Sequence, residues 1–319
     1  MNYDAKILVT GGCGFIGSYL IDELLNNGYR NVTCVDNLSG MNMGSELHLN
    51  PICEYIYGDL SDYQFIHSLY KEHKFDVVFH LAANANVPFS DKFPATDFRW
   101  NAEGTFNVLN CCLKLGVKKV VFASSAAVYG NPQYTPMDEK HPLDPISNYG
   151  ITKLYGEKLG MCYFMTYELP FTALRVFNTY GPRQPRYVIH DLIKKIVFNR
   201  ENLEVLGTGR QIRDYCYIKD TVNAFITVME SNHSVGKVFN VAGGNPTSIK
   251  DLANNIVDLL GLKPTITYTG KSWKGDVEEM TADLSKIKTE LGFLNNYDLK
   301  KGLEETVKWF AQKNGLNLF

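Results

Sequence analysis

No stretch of this 319-residue chain is apolar for long enough to cross a bilayer, and Met1-Asn2-Tyr3-Asp4 lacks the basic start and apolar core of a secretory signal. The seven cysteines include no C-x-x-C pair, and their odd number speaks against a disulfide framework, so reduced thiols in a cytoplasmic protein are expected. Seven scattered histidines offer no H-x-H or H-x-x-x-H spacing, and no metal site is expected. Neither sign of charge dominates. The 32 Lys and Arg against 34 Asp and Glu leave a net charge of −2, which gives a nucleic acid no electrostatic hold. Internal repeats, low-complexity tracts and Gly/Ser-rich linkers are also missing. These absences leave a chain with no membrane or nucleic-acid partner and enough length for one large or two modest domains.

What is present begins at the N-terminus. The apolar run Lys6-Ile7-Leu8-Val9-Thr10 has strand character and leads into Gly11-Gly12-Cys13-Gly14-Phe15-Ile16-Gly17. Phe15, Ile16, Leu20, Ile21, Leu24 and Leu25 then recur at helical spacing, with Gly28 placed to end the helix. Strand, glycine turn and helix form the context of a dinucleotide fingerprint, in which pyrophosphate approaches free amides at the helix N-terminus. A second strand, Val32-Thr33-Cys34-Val35, ends at Asp36, nineteen residues after Gly17. An acid there accepts hydrogen bonds from a ribose 2′-OH, which argues for NAD over NADP.

Strands and helices go on alternating as in a parallel sheet. Strands are expected over 52–57, 77–81, 120–123 and 174–177, and helices over 96–115 and 148–169. Beyond Asn178 the segments become shorter and mixed. The expected fold is therefore α/β: a Rossmann-type doubly wound parallel sheet with a smaller mixed α/β C-terminal lobe. The division expected is an NAD-binding domain over 1–177 joined by 214–243, and a substrate lobe over 178–213 and 244–319. Ligands in such sheets bind beyond the carboxyl ends of the strands. Gly11–Gly17, Asp36, Asp59, Ala82-Ala83 and Ser124-Ser125 would share that edge.

Tyr149 stands four residues before Lys153, and in a helix positions i and i+4 share a face. A nearby ammonium favours the ionised phenol, whose ordinary pKa is about 10, so the pair can serve as a proton-transfer device. Ser124-Ser125, about two dozen residues upstream, offers a hydroxyl at a strand end.

With these residues assembled, the chain resembles the extended short-chain dehydrogenase/reductase family, in its NAD-dependent nucleotide-sugar epimerase/dehydratase branch, and within it the UDP-sugar 4-epimerases. The resemblance runs over nearly the whole length. It takes in Thr10–Gly17, Asp36-Asn37, His80-Leu81-Ala82-Ala83, Asn101 with Gly104-Thr105, Ser124-Ser125-Ala126-Ala127-Val128-Tyr129-Gly130 and Tyr149-x-x-x-Lys153. It continues through Arg175-Val176-Phe177-Asn178-x-Tyr180-Gly181-Pro182 and Gly209-Arg210-Gln211-x-Arg213-Asp214-Tyr215.

The resemblance implies NAD as cofactor and a nucleotide-diphosphate sugar as substrate. Tyr149 would be the base at a sugar hydroxyl, at C4; Lys153 would hold the nicotinamide ribose and lower the tyrosine pKa; Ser125 would bond the reacting oxygen. Gly11, Gly14, Phe15, Ile16, Gly17, Asp36, Asn37, Asp59, Leu60, Leu81, Ala82, Ala83 and Asn101 would join Tyr149 and Lys153 around the cofactor. Ser124, Ser125, Asn178 and Arg213 would meet the substrate. Three of these have plainer readings: Asp59 as a helix cap, Asn178 as a turn residue, Arg213 as the partner of a surface acid. His80, at the end of an apolar strand, reads as structural.

The chain departs from the family pattern twice. Family dehydratases carry an Asp-Glu pair directly after the Ser/Thr, and decarboxylases a Glu; Ala126-Ala127 supplies neither the acid nor the base that eliminating water requires. Near Trp273-Lys274-Gly275-Asp276, Trp273 takes the place of an arginine expected on the diphosphate, so Lys274 or Lys271 is a candidate substitute. Met280 falls where related epimerases gate the sugar's C2 substituent.

The expected activity is an NAD-dependent nucleotide-sugar 4-epimerase. A 4-dehydrogenase or a 4-ketosugar reductase would use the same Ser-Tyr-Lys set, and a non-catalytic NAD-binding sensor is the reading from another class. The two helices over 96–115 and 148–169 are rich in apolar residues that include Phe106, Leu109, Leu113, Met161, Tyr163, Phe164 and Met165; packing on their own sheet accounts for part of that content, and the resemblance implies that they also pair across a homodimer.

Overall fold

The computed structural model describes residues 2–39, 48–272 and 277–316. Strands β1 (Lys6–Thr10), β2 (Asn31–Asp36), β3 (Glu54–Tyr57), β4 (Val77–His80), β5 (Lys119–Ser125) and β6 (Phe171–Val176) join the strand Lys237–Val241 in one seven-stranded sheet. From one edge the order is Lys237–Val241, β6, β5, β4, β1, β2, β3, and every pairing is parallel. Alternate residues of β1 serve different cores. Ile7 and Val9 pack with Leu20, Ile21 and Phe225 on one face; Leu8 packs with Val78, Val120 and Leu109 on the other. Both faces are covered, which is why the strands are continuous apolar runs rather than alternating ones.

The helices between strands are α1 (Phe15–Asn26), α2 (Tyr63–His73), α3 (Val87–Lys92), α4 (Pro94–Asp97), α5 (Gly104–Lys114) and α6 (Asn148–Tyr167). The single helix expected over 96–115 is interrupted. Between α4 and α5 the chain winds as a wider π turn over Phe98–Glu103. The chain leaves β1 towards β2 and β3 on one side, then crosses to β4 on the other. The crevice at this reversal, beyond the carboxyl ends of β1 and β4, is where a ligand finds room.

After β6 the chain builds smaller sheets. Ile212–Tyr217 pairs with Asn178–Tyr180 and Glu279–Met280 in parallel and with Pro246–Ser248 antiparallel; Asn202–Val205 pairs with Thr265–Tyr268. The helices Val188–Phe198, Ile249–Leu259, Ser285–Leu291 and Leu299–Lys313 complete this part. The helix Ile218–Glu230 returns to pack on α1, where Tyr29 Oη donates to Glu230 at 2.9 Å.

Candidate active site

A cavity of about 1800 Å³ opens between the carboxyl edge of the large sheet and the smaller sheets. Every described residue expected in the site lies on its wall, except Asn101 and the alternative diphosphate cation Lys271. At one end is the glycine turn. Gly11 has φ +72°, and a Cβ there would stand 2.7 Å from the Ala82 backbone; a Cβ at Gly17 would stand 2.2 Å from the Gly11 carbonyl oxygen. Both positions require glycine for space, because backbone cannot swing aside as a side chain can. Gly14 caps α1 without a side chain to occupy the first-turn amides. Those amides and the helix dipole suit a pyrophosphate.

Asp36 closes β2 on the same wall, accepting from the amides of Cys13 at 3.0 Å and Leu38 at 2.9 Å. Burial raises its pKa, and these amide bonds oppose that rise. Asn37 Oδ1 accepts from Ser39 N and Oγ, which fixes the turn after β2. A dinucleotide fits this set, with its pyrophosphate on α1 and a ribose at Asp36. Phe15, Ile16, Leu60, Leu81, Ala82 and Ala83 add apolar wall.

At the centre, Ser147 Oγ caps α6 by accepting from Gly150 N at 3.1 Å, which begins the helix so that Tyr149 and Lys153 fall one turn apart. Ser125, at the last position of β5, shares the cavity wall with Tyr149, whose phenol pKa its hydroxyl draws down, and it accepts from Ala127 N at 3.2 Å. Lys153 is buried; its Nζ donates to the Ala123 carbonyl at 2.8 Å and lies 6.0 Å from the Tyr149 ring centroid. Burial pushes the Tyr149 phenol above its ordinary value, opposed by the Ser125 hydrogen bond and the Arg186 charge. Burial also pushes Lys153 down to about 8, and the Asp97 charge partly offsets that fall. The expectation of a phenol lowered by its lysine is therefore not met by these two side chains alone; desolvation outweighs the pair's attraction.

Several residues stand elsewhere than expected. Asn101 lies behind the wall: its Oδ1 accepts from Asn84 N at 2.7 Å, and its Nδ2 donates to Asp97 Oδ1 at 3.0 Å and Thr152 Oγ1 at 3.2 Å. Ser124 touches the cavity, but its hydroxyl is committed to Glu157 Oε2 at 2.8 Å. Asp59 is not the cap of α2, which is Asp62; Asp59 instead holds Ser61 N and Oγ at 2.9 and 2.8 Å. Asn178 sits in a short strand rather than a turn. Arg213 Nη1 donates to the Ile212 carbonyl at 2.8 Å and the Glu278 carbonyl at 3.4 Å. Met280 lines the cavity. Lys274 and Trp273 fall outside the described residues. Among the described residues no cluster of His, Cys, Asp or Glu could hold a metal.

Two features escaped the sequence reading. Asp97 is fully buried and accepts from Asn84, Asn101 and Thr152, the last at 3.0 Å. Burial raises its pKa, and the hydrogen bonds from Asn84 and Thr152 and the Lys153 charge oppose that rise. Arg175 and Glu157, both buried, form a two-pronged ion pair at 2.6 and 3.0 Å that ties β6 to α6. His80 bonds Thr10 Oγ1 at 2.7 Å and Thr105 Oγ1 at 2.9 Å, and burial holds its pKa down to about 3, so it is a neutral structural ring.

Comparison with known proteins agrees over the whole chain. Residues 8–306 match the model of the GDP-mannose 4,6 dehydratase family. A putative UDP-glucose 4-epimerase of Methanocaldococcus jannaschii is 35% identical, over 97% of this chain and 99% of that one. The structure of a Thermotoga maritima UDP-glucose 4-epimerase with UDP-glucose superposes with a TM-score of 0.91 at 34% identity, covering 97% of this chain and 99% of that one. A Thermus thermophilus UDP-glucose 4-epimerase in complex with NAD superposes with a TM-score of 0.87 at 28% identity, covering 96% and 99%.

Proposed function

Because the chain belongs to the extended short-chain dehydrogenase/reductase family of NAD-dependent nucleotide-sugar epimerases and dehydratases, we propose that it is a UDP-sugar 4-epimerase with resident NAD. The observation that carries this reading is that Ser125, Tyr149 and Lys153 share the wall of the cavity that also holds the glycine turn. Family relatives include decarboxylases and dehydratases as well as epimerases. The resemblance assigns elimination to acids at positions 126 and 127, and alanines stand there.

When bound, the dinucleotide supplies the hydride acceptor at sugar C4 and the hydride donor to the other face of the resulting ketone. Gly11, Gly14 and Gly17 leave room for its pyrophosphate, Asp36 and Asn37 meet one ribose, and Asp59 with Leu60 borders the base. Tyr149 Oη takes the proton of the C4 hydroxyl and gives it back after the ketone has turned over. Ser125 Oγ holds that oxygen throughout. Lys153 keeps a cation under the phenol, which lowers the cost of the phenolate that must exist before the C4 hydroxyl proton can be taken.

The residues 1–177 and 214–243 carry the cofactor in this reading, and 178–213 with 244–319 carry the nucleotide sugar, through Asn178, Arg213 and a cation at Lys274. We also place the protein in the cytoplasm, since all seven cysteines are free thiols, and pair it as a homodimer.

Tyr149→Phe tests the proposal. Turnover of a UDP-sugar should fall by about 10²–10⁴-fold, while the dinucleotide still copurifies. Undiminished epimerisation in the variant would remove Tyr149 from the chemistry.

A further inference from the structure

Arg186 is a cation on the cavity wall that the epimerase reading leaves unused. It belongs to the segment that runs from the strand Asn178–Tyr180 to the helix Val188–Phe198. Its neighbour Tyr187 has φ +78°, a left-handed conformation that side chains other than glycine rarely adopt. The Tyr187 phenol donates to the Ala85 carbonyl at 2.7 Å. That bond ties the segment to the loop following β4. The next helix on that loop, α3, supplies Ser90 Oγ, which accepts from the Tyr149 amide at 3.1 Å. Arg186 Nη2 donates to the Tyr187 hydroxyl at 3.0 Å, and its guanidinium carbon stands 4.8 Å from the Tyr187 ring centroid. The segment is thus strapped against the loop beside the reacting phenol, with the guanidinium at the strap.

The guanidinium is under-used there. Arg186 Nε is buried with no hydrogen-bond partner, and among the described residues no carboxylate lies within ion-pair distance of it. Acids on the same wall are occupied elsewhere. Asp91 accepts from Asn148 N and Nδ2 at 3.3 and 3.1 Å, Asp191 stands 3.3 Å from His190 Nδ1, and Asp36 holds the Cys13 and Leu38 amides. A buried N–H with no acceptor is costly unless a ligand supplies one, and a carboxylate meets a guanidinium edge with two parallel hydrogen bonds.

We propose that the sugar of the substrate is a uronic acid, and that Arg186 selects it by pairing with the C6 carboxylate. The inference rests on the 4-epimerase reading, which sets C4 at Tyr149. C4 and C6 are both bonded to C5, so a group at C6 lies beside the hydroxyl that Tyr149 and Ser125 hold. The Arg186 charge reaches the Tyr149 phenol, whose pKa it draws down against burial. The diphosphate hangs from C1, across the ring from C4, on the side of Arg213. A neutral C6 hydroxyl would leave the Arg186 charge and its buried Nε–H without a counter-charge.

The test compares UDP-glucuronate with UDP-glucose on the purified protein and on Arg186→Gln and Arg186→Lys, reading kcat/KM by NMR and Kd by calorimetry. The expected result is a wild-type preference for UDP-glucuronate. The preference ratio should fall roughly 10- to 100-fold in Arg186→Gln, the scale of a charge-assisted pair, with Arg186→Lys between. A wild-type preference for UDP-glucose, or a ratio unchanged by Arg186→Gln, overturns the proposal. So does an equal loss for both nucleotides, which would make Arg186 a diphosphate clamp. Affinity and turnover separate the two levels of the account. An Arg186-dependent affinity for UDP-glucuronate without epimerisation would sustain the uronate site and sink the epimerase. Epimerisation of UDP-glucose with no preference in either measurement would do the reverse.

Discussion

At the scale of single residues, the site depends on a charge that never touches the cavity. Asp97 has no exposed surface, and its two oxygens hold Asn84, Asn101 and Thr152, the last of which directly precedes Lys153. Its charge raises the Lys153 pKa against burial, and with both effects together that amine stands at about 8. The sign of the expected pH effect follows. Lys153 acts as a cation, a form present below its pKa and lost as pH rises through about 8. Asp97→Asn removes the charge and keeps the shape, since the Thr152 hydroxyl can turn to accept from the new amide. The alkaline limb of the kcat/KM profile should therefore begin at lower pH in Asp97→Asn than in the wild type. A profile that falls in height without shifting would make Asp97 only a structural anchor. A single sequence does not announce this role, because the partners come from separate segments and an aspartate inside an expected helix reads as solvated.

At the scale of elements, the glycine turn was legible because steric demand leaves a mark in the sequence. Gly17 must be glycine: α1 packs so closely on the turn that a Cβ would meet the Gly11 carbonyl at 2.2 Å and the Gly12 Cα at 2.7 Å. Gly17→Ala should displace the first turn of α1 and cost about 1–3 kcal/mol. It should also leave the purified protein without dinucleotide, measurable as a lower melting temperature and a lower 260/280 nm ratio. Full retention of nucleotide at unchanged stability would contradict the packing described. The strands were legible for a similar reason, as β1, β4 and β5 are buried on both faces and read as unbroken apolar runs. The break after Asp97 was not. The π turn over Phe98–Glu103 leaves apolar periodicity almost intact, so 96–115 reads as one helix. Ser124 and Arg175 share a motif with active-site residues, yet both are spent on Glu157, a partner visible only once α6 lies against β6.

At the scale of the whole molecule, the face formed by α5 and α6 remains to be covered. Leu109 is wholly buried in its own core, and Met161, Tyr163 and Phe164 pack against that core. Phe106, Ile151, Tyr155, Met165 and Tyr167 stay exposed, with Met165 72% accessible. Ile151, Tyr155 and Met165 follow an i, i+4, i+14 stripe along α6, which is the spacing of a helix that packs on another. Sedimentation should return a dimer, and Ile151→Glu with Met165→Glu should return a monomer of unchanged fold; a wild-type monomer would contradict the pairing. The parallel run of the sheet and the strand edge that carries the site were readable from the alternation of strands and helices; the order of the strands was not. The strap at Arg186-Tyr187 was not, because its meaning lies in a contact with Ala85, 102 residues away in the chain.

The central claim is that C4 is oxidised and reduced again without the sugar leaving. It is tested most directly by supplying UDP-glucuronate and UDP-glucose labelled with deuterium at C4, with no added cofactor, and reading the products by NMR. The account predicts inversion at C4 with the deuterium retained there, and the same equilibrium mixture reached from either epimer. Release of a free 4-keto sugar, with one equivalent of reduced dinucleotide left on the protein, would contradict it and identify a dehydrogenase.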